Sequence, residues 1–105
     1  MFTVVETPAF QALIAKIWTE DERLDFIGWI AENPLAGDVI PGADGARKVR
    51  WAAQGRGKRG GVRVVYFNVL EDGCIVLIAA YAKNVVETLP PKAIRKVKRN
   101  EASER

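Results

Sequence analysis

The chain has 105 residues, of which 49% are hydrophobic and 28% charged, and its formal net charge is +3. A chain of this length and balance typically forms one globular domain, which excludes wholesale disorder, a collagen-like repeat and a disulfide-stapled miniprotein. The longest apolar run, Cys74–Ala82, has nine residues, whereas a membrane-spanning helix needs about 20. We expect a single domain over residues 1–105, with a frayed tail from residue 100.

The first third of the chain predicts one strand and two helices. Phe2–Glu6 is short and β-branched, as in a strand, and the Thr7-Pro8 pair that follows is a typical helix start. Apolar residues then keep a helical spacing as far as Trp18. Thr19–Glu22 has the pattern of a capping box, which opens a second helix, and Asn33-Pro34 ends that helix. We expect the two helices to form an antiparallel hairpin that covers a sheet.

The rest of the chain predicts three strands and a last helix. Pro34–Gly45 is dense in glycine and proline and indicates a loop, and Gln54–Gly61 indicates a flexible basic hairpin tip. A short basic helix begins at Thr88–Pro91. The predicted strands are Arg47–Ala53, Val62–Leu70 and Cys74–Ala82. The order β-α-α-β-β-β-α predicts an α+β fold with a small, mostly antiparallel sheet.

Cysteine and histidine usage excludes several chemistries. The single cysteine cannot form an internal disulfide, and without histidine no Cys/His zinc site can form. Nucleophile systems that depend on histidine are excluded as well. An enzyme built from this sequence uses Lys, Arg, Tyr, Asp or Glu, and we expect it to need no metal and no cofactor. The N-terminal MFTVVETP lacks the basic and then apolar pattern of a secretory signal, so we expect a cytoplasmic protein with no membrane partner.

The charges are distributed unevenly. Residues 1–45 carry two basic and eight acidic side chains, whereas residues 46–105 carry fourteen basic and five acidic ones. No acidic residue lies between Asp44 and Glu71, where seven cations cluster. Such a cluster attracts polyanions, and the planar guanidinium group of arginine suits phosphate. The pattern favours a phosphate-bearing partner over a merely solvated surface.

Side-chain alternation groups several of these cations into one candidate site. Lys48 and Arg50 share one face of their strand, and Arg63 lies on a face of the next strand. Tyr81 and Lys83 point the same way at the end of the last strand. If the strand registers bring these faces together, the cations can bind a scissile phosphate and stabilise its transition state, and a lysine or tyrosine can transfer protons.

The spacing alone leaves the function open, because many RNA-binding sheets present such residues without cutting RNA. A nucleic-acid or ribosome binder and a nuclease both fit. Trp51 and Tyr81 also fit roles in packing, and Lys83 fits a solvated strand end. Arg63 is the strongest candidate, because a lone arginine between apolar neighbours needs an anionic partner.

Five segments carry a resemblance to a known family: GDVIPG, RKVRWA, GRGKRGG, GVRVVYF and AAYAKN. The sequence resembles the RelE superfamily toxins of bacterial toxin–antitoxin modules, with the HigB-type branch as the best fit. The likeness covers almost the whole chain, and the paired GDVIPG and GRGKRGG segments are fairly specific to that branch. It implies a RelE-like fold, in which a small sheet is accompanied by two N-terminal helices and a C-terminal helix.

The resemblance also implies an activity, that of a ribosome-dependent endoribonuclease that cuts messenger RNA, inhibits translation and arrests growth. Some family members carry a tyrosine in the C-terminal helix, but none follows Tyr81 here. The proton-transfer residue therefore stays open among Tyr81, Lys83 and catalysis by the cations alone. Carried over by position, the family's basic residues fall on Lys48, Arg50, Arg63 and Lys83. Together with Tyr81, which the strand faces add, these are the expected catalytic residues. The expected RNA-binding residues are Arg47, Arg56, Lys58 and Arg59.

The implied partners are a cognate antitoxin with a helix-turn-helix, the ribosome and its messenger RNA, and operator DNA reached only through the antitoxin. The division between an acidic N-terminal half and a basic C-terminal half suggests that the antitoxin covers the basic patch with an acidic segment. A non-catalytic alternative shares the fold: a gyrase-inhibiting ParE-like toxin, or a decayed toxin that only binds its antitoxin or nucleic acid.

Overall fold

The computed structural model describes residues 2–51, 61–82 and 94–96. These residues form a five-stranded sheet with strand order β1-β5-β4-β3-β2. Residues 94–96 are helical. No helix within the described ranges is both long enough and apolar enough to cross a membrane. The elements are β1 (Thr3–Glu6), α1 (Pro8–Ile14), α2 (Glu20–Glu32), β2 (Asp38–Val39), β3 (Arg47–Trp51), β4 (Val62–Val69) and β5 (Cys74–Ala82).

The sheet is mixed. β1 pairs with β5 in parallel, and the other neighbouring strands are antiparallel. The predicted α+β class and the mostly antiparallel sheet are therefore confirmed. The expected hairpin tip at Gln54–Gly61, the helix start at Thr88–Pro91 and the tail from residue 100 lie outside the described residues.

Two expectations need correction. The segment Pro34–Gly45 is not entirely a loop, because Asp38–Val39 pairs with β3 and forms an edge strand. A two-residue strand has no alternation that a sequence pattern could reveal. The first helix ends at Ile14 and not at Trp18. Beyond it the Ile14 carbonyl accepts from the Ile17 N–H at 3.0 Å and from the Trp18 N–H at 2.9 Å, so the chain continues as turns.

Both helices begin at the predicted threonines. The Thr19 hydroxyl accepts a hydrogen bond from the Glu22 N–H at 3.2 Å, and the Glu22 carboxylate accepts one from the Thr19 N–H at 2.8 Å, which confirms the capping box. The Thr7 hydroxyl accepts a hydrogen bond from the Phe10 N–H at 3.1 Å. Thr7 is 3% exposed, and its hydroxyl also donates to the Leu77 carbonyl at 2.8 Å, so this cap connects α1 to the central strand β5.

The sheet has an apolar layer on each face. Aromatic rings dominate the layer under α1 and α2, where Trp29 and Trp51 have ring centroids 4.8 Å apart and Phe26 lies 5.7 Å from Trp51. The buried residues of this first layer are Phe10, Ile14, Phe26, Ile30, Val49, Val62, Val64, Tyr66, Ile75, Leu77 and Ala80. Those of the opposite layer are Ala43, Ala46, Val65, Phe67, Val76, Ile78, Ala79 and Ile94.

A β-bulge interrupts β5. Val65 pairs with Ala79 but Tyr66 pairs with Leu77, so Ile78 has no partner on β4. Ile78 and Ala79 both lie in the second layer, and the alternation of β5 therefore reverses at this point. The Leu77 carbonyl at the bulge accepts from both the N–H and the hydroxyl of Thr7, at 3.2 and 2.8 Å. The first helix cap thus holds the bulge.

Removing the two caps tests this connection. Thr19→Ala deletes an exposed cap and should lower the free energy of unfolding by about 1 kcal/mol. Thr7→Ala deletes a buried cap together with the bond to the Leu77 carbonyl, and should lower it by about 2 kcal/mol. Urea denaturation measures both values. Equal losses for the two variants would contradict the role of Thr7 at the bulge.

Candidate functional site

Three of the predicted site residues form one row across the sheet. Arg50 on β3 pairs directly with Arg63 on β4, and Arg63 pairs directly with Tyr81 on β5. Directly opposite side chains share a face, with Cβ atoms about 5 Å apart. The bulge is essential to this row, because uninterrupted alternation would place Tyr81 with Leu77, under the helices. The side chains instead lie on the face that is opposite α1 and α2.

The row places positive charge next to the buried apolar side chains of the second layer. Arg50 is exposed and Arg63 is half-buried, beside the buried side chain of Val65. None of the residues of β3, β4 or β5 is acidic. Arg50 and Arg63 lie directly opposite each other, so both guanidinium groups can reach one bound phosphate. The arrangement suits a phosphate that both arginines can bind, with the phenol of Tyr81 at its side.

Lys48 continues the same face. It lies two residues before Arg50 and pairs with Val65, so its side chain belongs to the adjacent row. On its other side Lys48 pairs with Asp38 of β2. Sequence reasoning missed Asp38 as a neighbour of the site, because the two-residue strand was expected to be loop. We name the surface formed by Asp38, Lys48, Arg50, Arg63 and Tyr81 the basic face.

The structure does not bring Arg47 to the basic face. Its guanidinium donates to the Gly37 carbonyl at 2.7 Å, and Arg47 pairs with Tyr66, which belongs to the layer under the helices. Its role in RNA binding stays a prediction. The other predicted residues, Arg56, Lys58, Arg59 and Lys83, lie outside the described residues.

A group of buried and part-buried hydrogen bonds holds the sheet edge beside the basic face. The Tyr66 hydroxyl accepts from the Gly37 N–H and donates to the Pro34 carbonyl, both at 2.9 Å, and the Asn68 amide also donates to that carbonyl at 3.0 Å. With the Arg47 bond, four hydrogen bonds attach residues 34–37 to β3 and β4. We call this set the Gly37 clasp.

Gly37 is required by close packing. A Cβ atom there would lie 2.9 Å from the Lys48 carbonyl oxygen and 3.0 Å from a ring carbon of Tyr66. Backbone therefore packs on backbone directly beside Lys48. Burial raises the pKa of the Tyr66 phenol; the hydrogen bond from Gly37 and the charge of Arg47 oppose this shift, and the charge of Asp38 adds to it.

A groove of about 550 Å³ lies on the helical side of the molecule. The Arg23 guanidinium binds both carboxylate oxygens of Glu6 there, at 2.7 and 2.9 Å. Its lining residues are Glu6, Gln11, Ile14, Ala15, Trp18, Thr19, Glu20 and Arg23, and none of them belongs to the basic face. Within residues 2–51, 61–82 and 94–96, no group of three or more Asp, Glu or Cys side chains is arranged to hold a metal ion.

No known protein-family model matches the chain. Its fold matches solved structures of an E. coli toxin. A double arginine-to-alanine variant of E. coli RelE in the free state aligns with 93% of this chain and 96% of its own, at a TM-score of 0.59 and 16% identity. The isolated E. coli RelE toxin aligns with 95% and 99%, at a TM-score of 0.53 and 14% identity. The chain therefore has the RelE fold, and the fold that the sequence resemblance implied is confirmed.

Removing the Tyr66 hydroxyl tests the Gly37 clasp. In Tyr66→Phe the buried Gly37 N–H loses its acceptor, which should lower the free energy of unfolding by about 1–3 kcal/mol. Tyr81→Phe removes the same hydroxyl from the basic face, where no clasp depends on it, and is the matched control. Chemical denaturation at neutral pH compares the two variants. An unchanged stability of Tyr66→Phe would show that the clasp does not hold the sheet edge.

The raised pKa of Tyr66 predicts a pH dependence. The folded protein favours the neutral phenol, so this contribution to stability is complete below about pH 10, the pKa of the unfolded chain, and is lost as the pH rises through the folded-state value. The stability difference between the unsubstituted protein and Tyr66→Phe should therefore shrink above about pH 10. Urea denaturation between about pH 8 and pH 11 measures this difference in the free energy of unfolding. Tyr81→Phe is the control, because it keeps Tyr66 and should show the same loss of stability above about pH 10 as the unsubstituted protein. A difference that stays constant with pH would contradict the raised pKa of Tyr66.

Proposed function

We propose that this chain is the toxin of a toxin–antitoxin pair and that it cleaves messenger RNA on the ribosome. The observation that supports this proposal most directly is the row formed by Arg50, Arg63 and Tyr81. Three strands without an acidic residue present two guanidinium groups and a phenol to the same ligand. The RelE fold adds support for the toxin class.

The reaction that suits these groups is cleavage of RNA by its own 2′-hydroxyl. The 2′-oxygen attacks the adjacent phosphorus, the bond to the 5′-oxygen breaks, and a 2′,3′-cyclic phosphate and a 5′-hydroxyl form. Arg63 and Arg50 bind the phosphate and stabilise the negative charge that develops in the transition state. Lys48 adds positive charge from the adjacent row, and Tyr81 or Lys83 protonates the leaving oxygen. We propose that this reaction needs no metal ion.

The proposed partners follow from the same surface. A basic face without acidic residues on its central strands suits ribosomal and messenger RNA. The GRGKRGG segment, with Arg56, Lys58 and Arg59, would extend the contact to RNA. We further propose that the chain belongs to the HigB-type branch, acts in the cytoplasm and is silenced by a helix-turn-helix antitoxin, through which alone it reaches operator DNA.

Replacing Arg63 tests the proposed activity. Arg63→Ala removes a donor to the transition state and should slow cleavage of ribosome-bound messenger RNA by about 10²-fold or more, and abolish growth arrest. Arg63→Lys keeps the charge but not the planar fork, and should recover only part of the rate. Lys16→Ala removes an exposed cation two residues after the first helix and is the control. Primer extension on messages from induced cells measures cleavage.

The outcomes separate the activities that fit this fold. Discrete cuts within codons that disappear in Arg63→Ala support the proposal. Intact messages with DNA damage would indicate a gyrase-inhibiting toxin, and intact messages without damage a decayed toxin that only binds. Undiminished cleavage and toxicity of Arg63→Ala would remove Arg63 from the site.

A further inference from the structure

The proposed reaction lacks a base among the row residues. Guanidinium groups and phenols in general hold their protons at neutral pH. They can bind a phosphate or protonate a leaving oxygen, but the attacking 2′-hydroxyl must lose a proton to another group. A carboxylate is the side chain of this sequence best suited to accept it, since the chain has no histidine.

The strand register supplies one carboxylate at the basic face. Asp38 on β2 pairs directly with Lys48 on β3, so their Cβ atoms are about 5 Å apart. Asp38 is exposed, and it is the one acidic residue in strands β2 to β5 as the structure describes them. In the described part of the chain, no hydrogen bond or ion pair engages its carboxylate. The side chain is therefore accessible to a ligand that binds over Lys48.

The surroundings of Asp38 are both charged and rigid. Lys48 lies directly opposite Asp38 on β3, and the charge of Asp38 acts on the Tyr66 phenol on β4. Its neighbour Gly37 is held by Tyr66 and by Arg47, so the backbone that carries Asp38 is attached to two strands of the site. This attachment gives an edge residue the fixed position that catalysis needs.

We propose that Asp38 is a catalytic residue, the general base that accepts the proton of the attacking 2′-hydroxyl; this inference rests on the proposed function. The Asp38 carboxylate takes the proton as the bond from the 2′-oxygen to phosphorus forms. The bond to the 5′-oxygen breaks, and that oxygen takes a proton from Tyr81 or Lys83. Asp38 lies one strand across from Arg50 and two residues along, which places their backbones about 8 Å apart, and the long Arg50 side chain can hold a phosphate within that span.

The test is the rate of cleavage by purified protein on ribosome-bound messenger RNA. Asp38→Asn should cut about 10²-fold more slowly at neutral pH. Asp25→Asn makes the same change on an exposed position of α2 and should keep the rate of the unsubstituted protein. Thermal unfolding of the two variants verifies that both are folded.

Two further measurements separate a base from a structural residue. Added formate should restore part of the cleavage rate of Asp38→Ala, because a small carboxylate can occupy the vacated position. A substrate with sulfur at the 5′ leaving position needs no acid, so Asp38→Asn should stay slow on it.

Each remaining outcome would overturn the inference. Rapid cleavage of the sulfur substrate by Asp38→Asn would make Asp38 an acid and not a base. An unchanged cleavage rate of Asp38→Asn would overturn this inference alone and leave the proposed function intact. Absence of cleavage by the unsubstituted protein would overturn the proposed function, and the role of Asp38 with it.

Discussion

The reversal of alternation in β5 is the constraint on which the basic face depends. In a regular strand Tyr81 would follow Ile75 and Leu77 into the layer under the helices. The bulge at Ile78 and Ala79 moves it to the other side of the sheet, opposite Arg63. Beside the bulge, Thr7 donates two hydrogen bonds to the Leu77 carbonyl. The start of the first helix and the composition of the site are thus connected through one carbonyl group.

A second requirement governs the edge of the same face. Buried backbone groups in the segment before β2 need partners, and side chains from β3 and β4 supply them. Tyr66 binds the Gly37 N–H and the Pro34 carbonyl, Asn68 gives that same carbonyl a second hydrogen bond, and Arg47 binds the Gly37 carbonyl. The result is a sheet edge that is held by specific bonds and not by a long ladder. An arginine of the basic run therefore serves in the fold, while its neighbour Lys48 remains at the site.

Much of the fold could be predicted from local patterns. The helix starts at Thr7 and Thr19 rest on bonds between residues three apart, which a sequence shows directly. The strands of the central hairpins were recognisable from β-branched and alternating residues. Because successive side chains of a strand point to opposite faces, the sequence also separated Arg47 from Lys48 and Arg50. The strand Asp38–Val39 was not recognisable, because two residues carry no period and their pairing depends on partners eight and ten residues away. Asp38 was missed as a neighbour of the site for that reason.

Composition and periodicity were sufficient for the α+β class, for the mostly antiparallel sheet, for the absence of histidine chemistry and for a run of cations without acids. These properties depend on residue type and on contacts within one element. Strand register decided three further features of the site. It brings Arg50, Arg63 and Tyr81 into one row, and it places Asp38 opposite Lys48. It also directs Arg47 to the Gly37 clasp. Register is set by bulges and by bonds between distant segments, and these form only when the whole sheet packs.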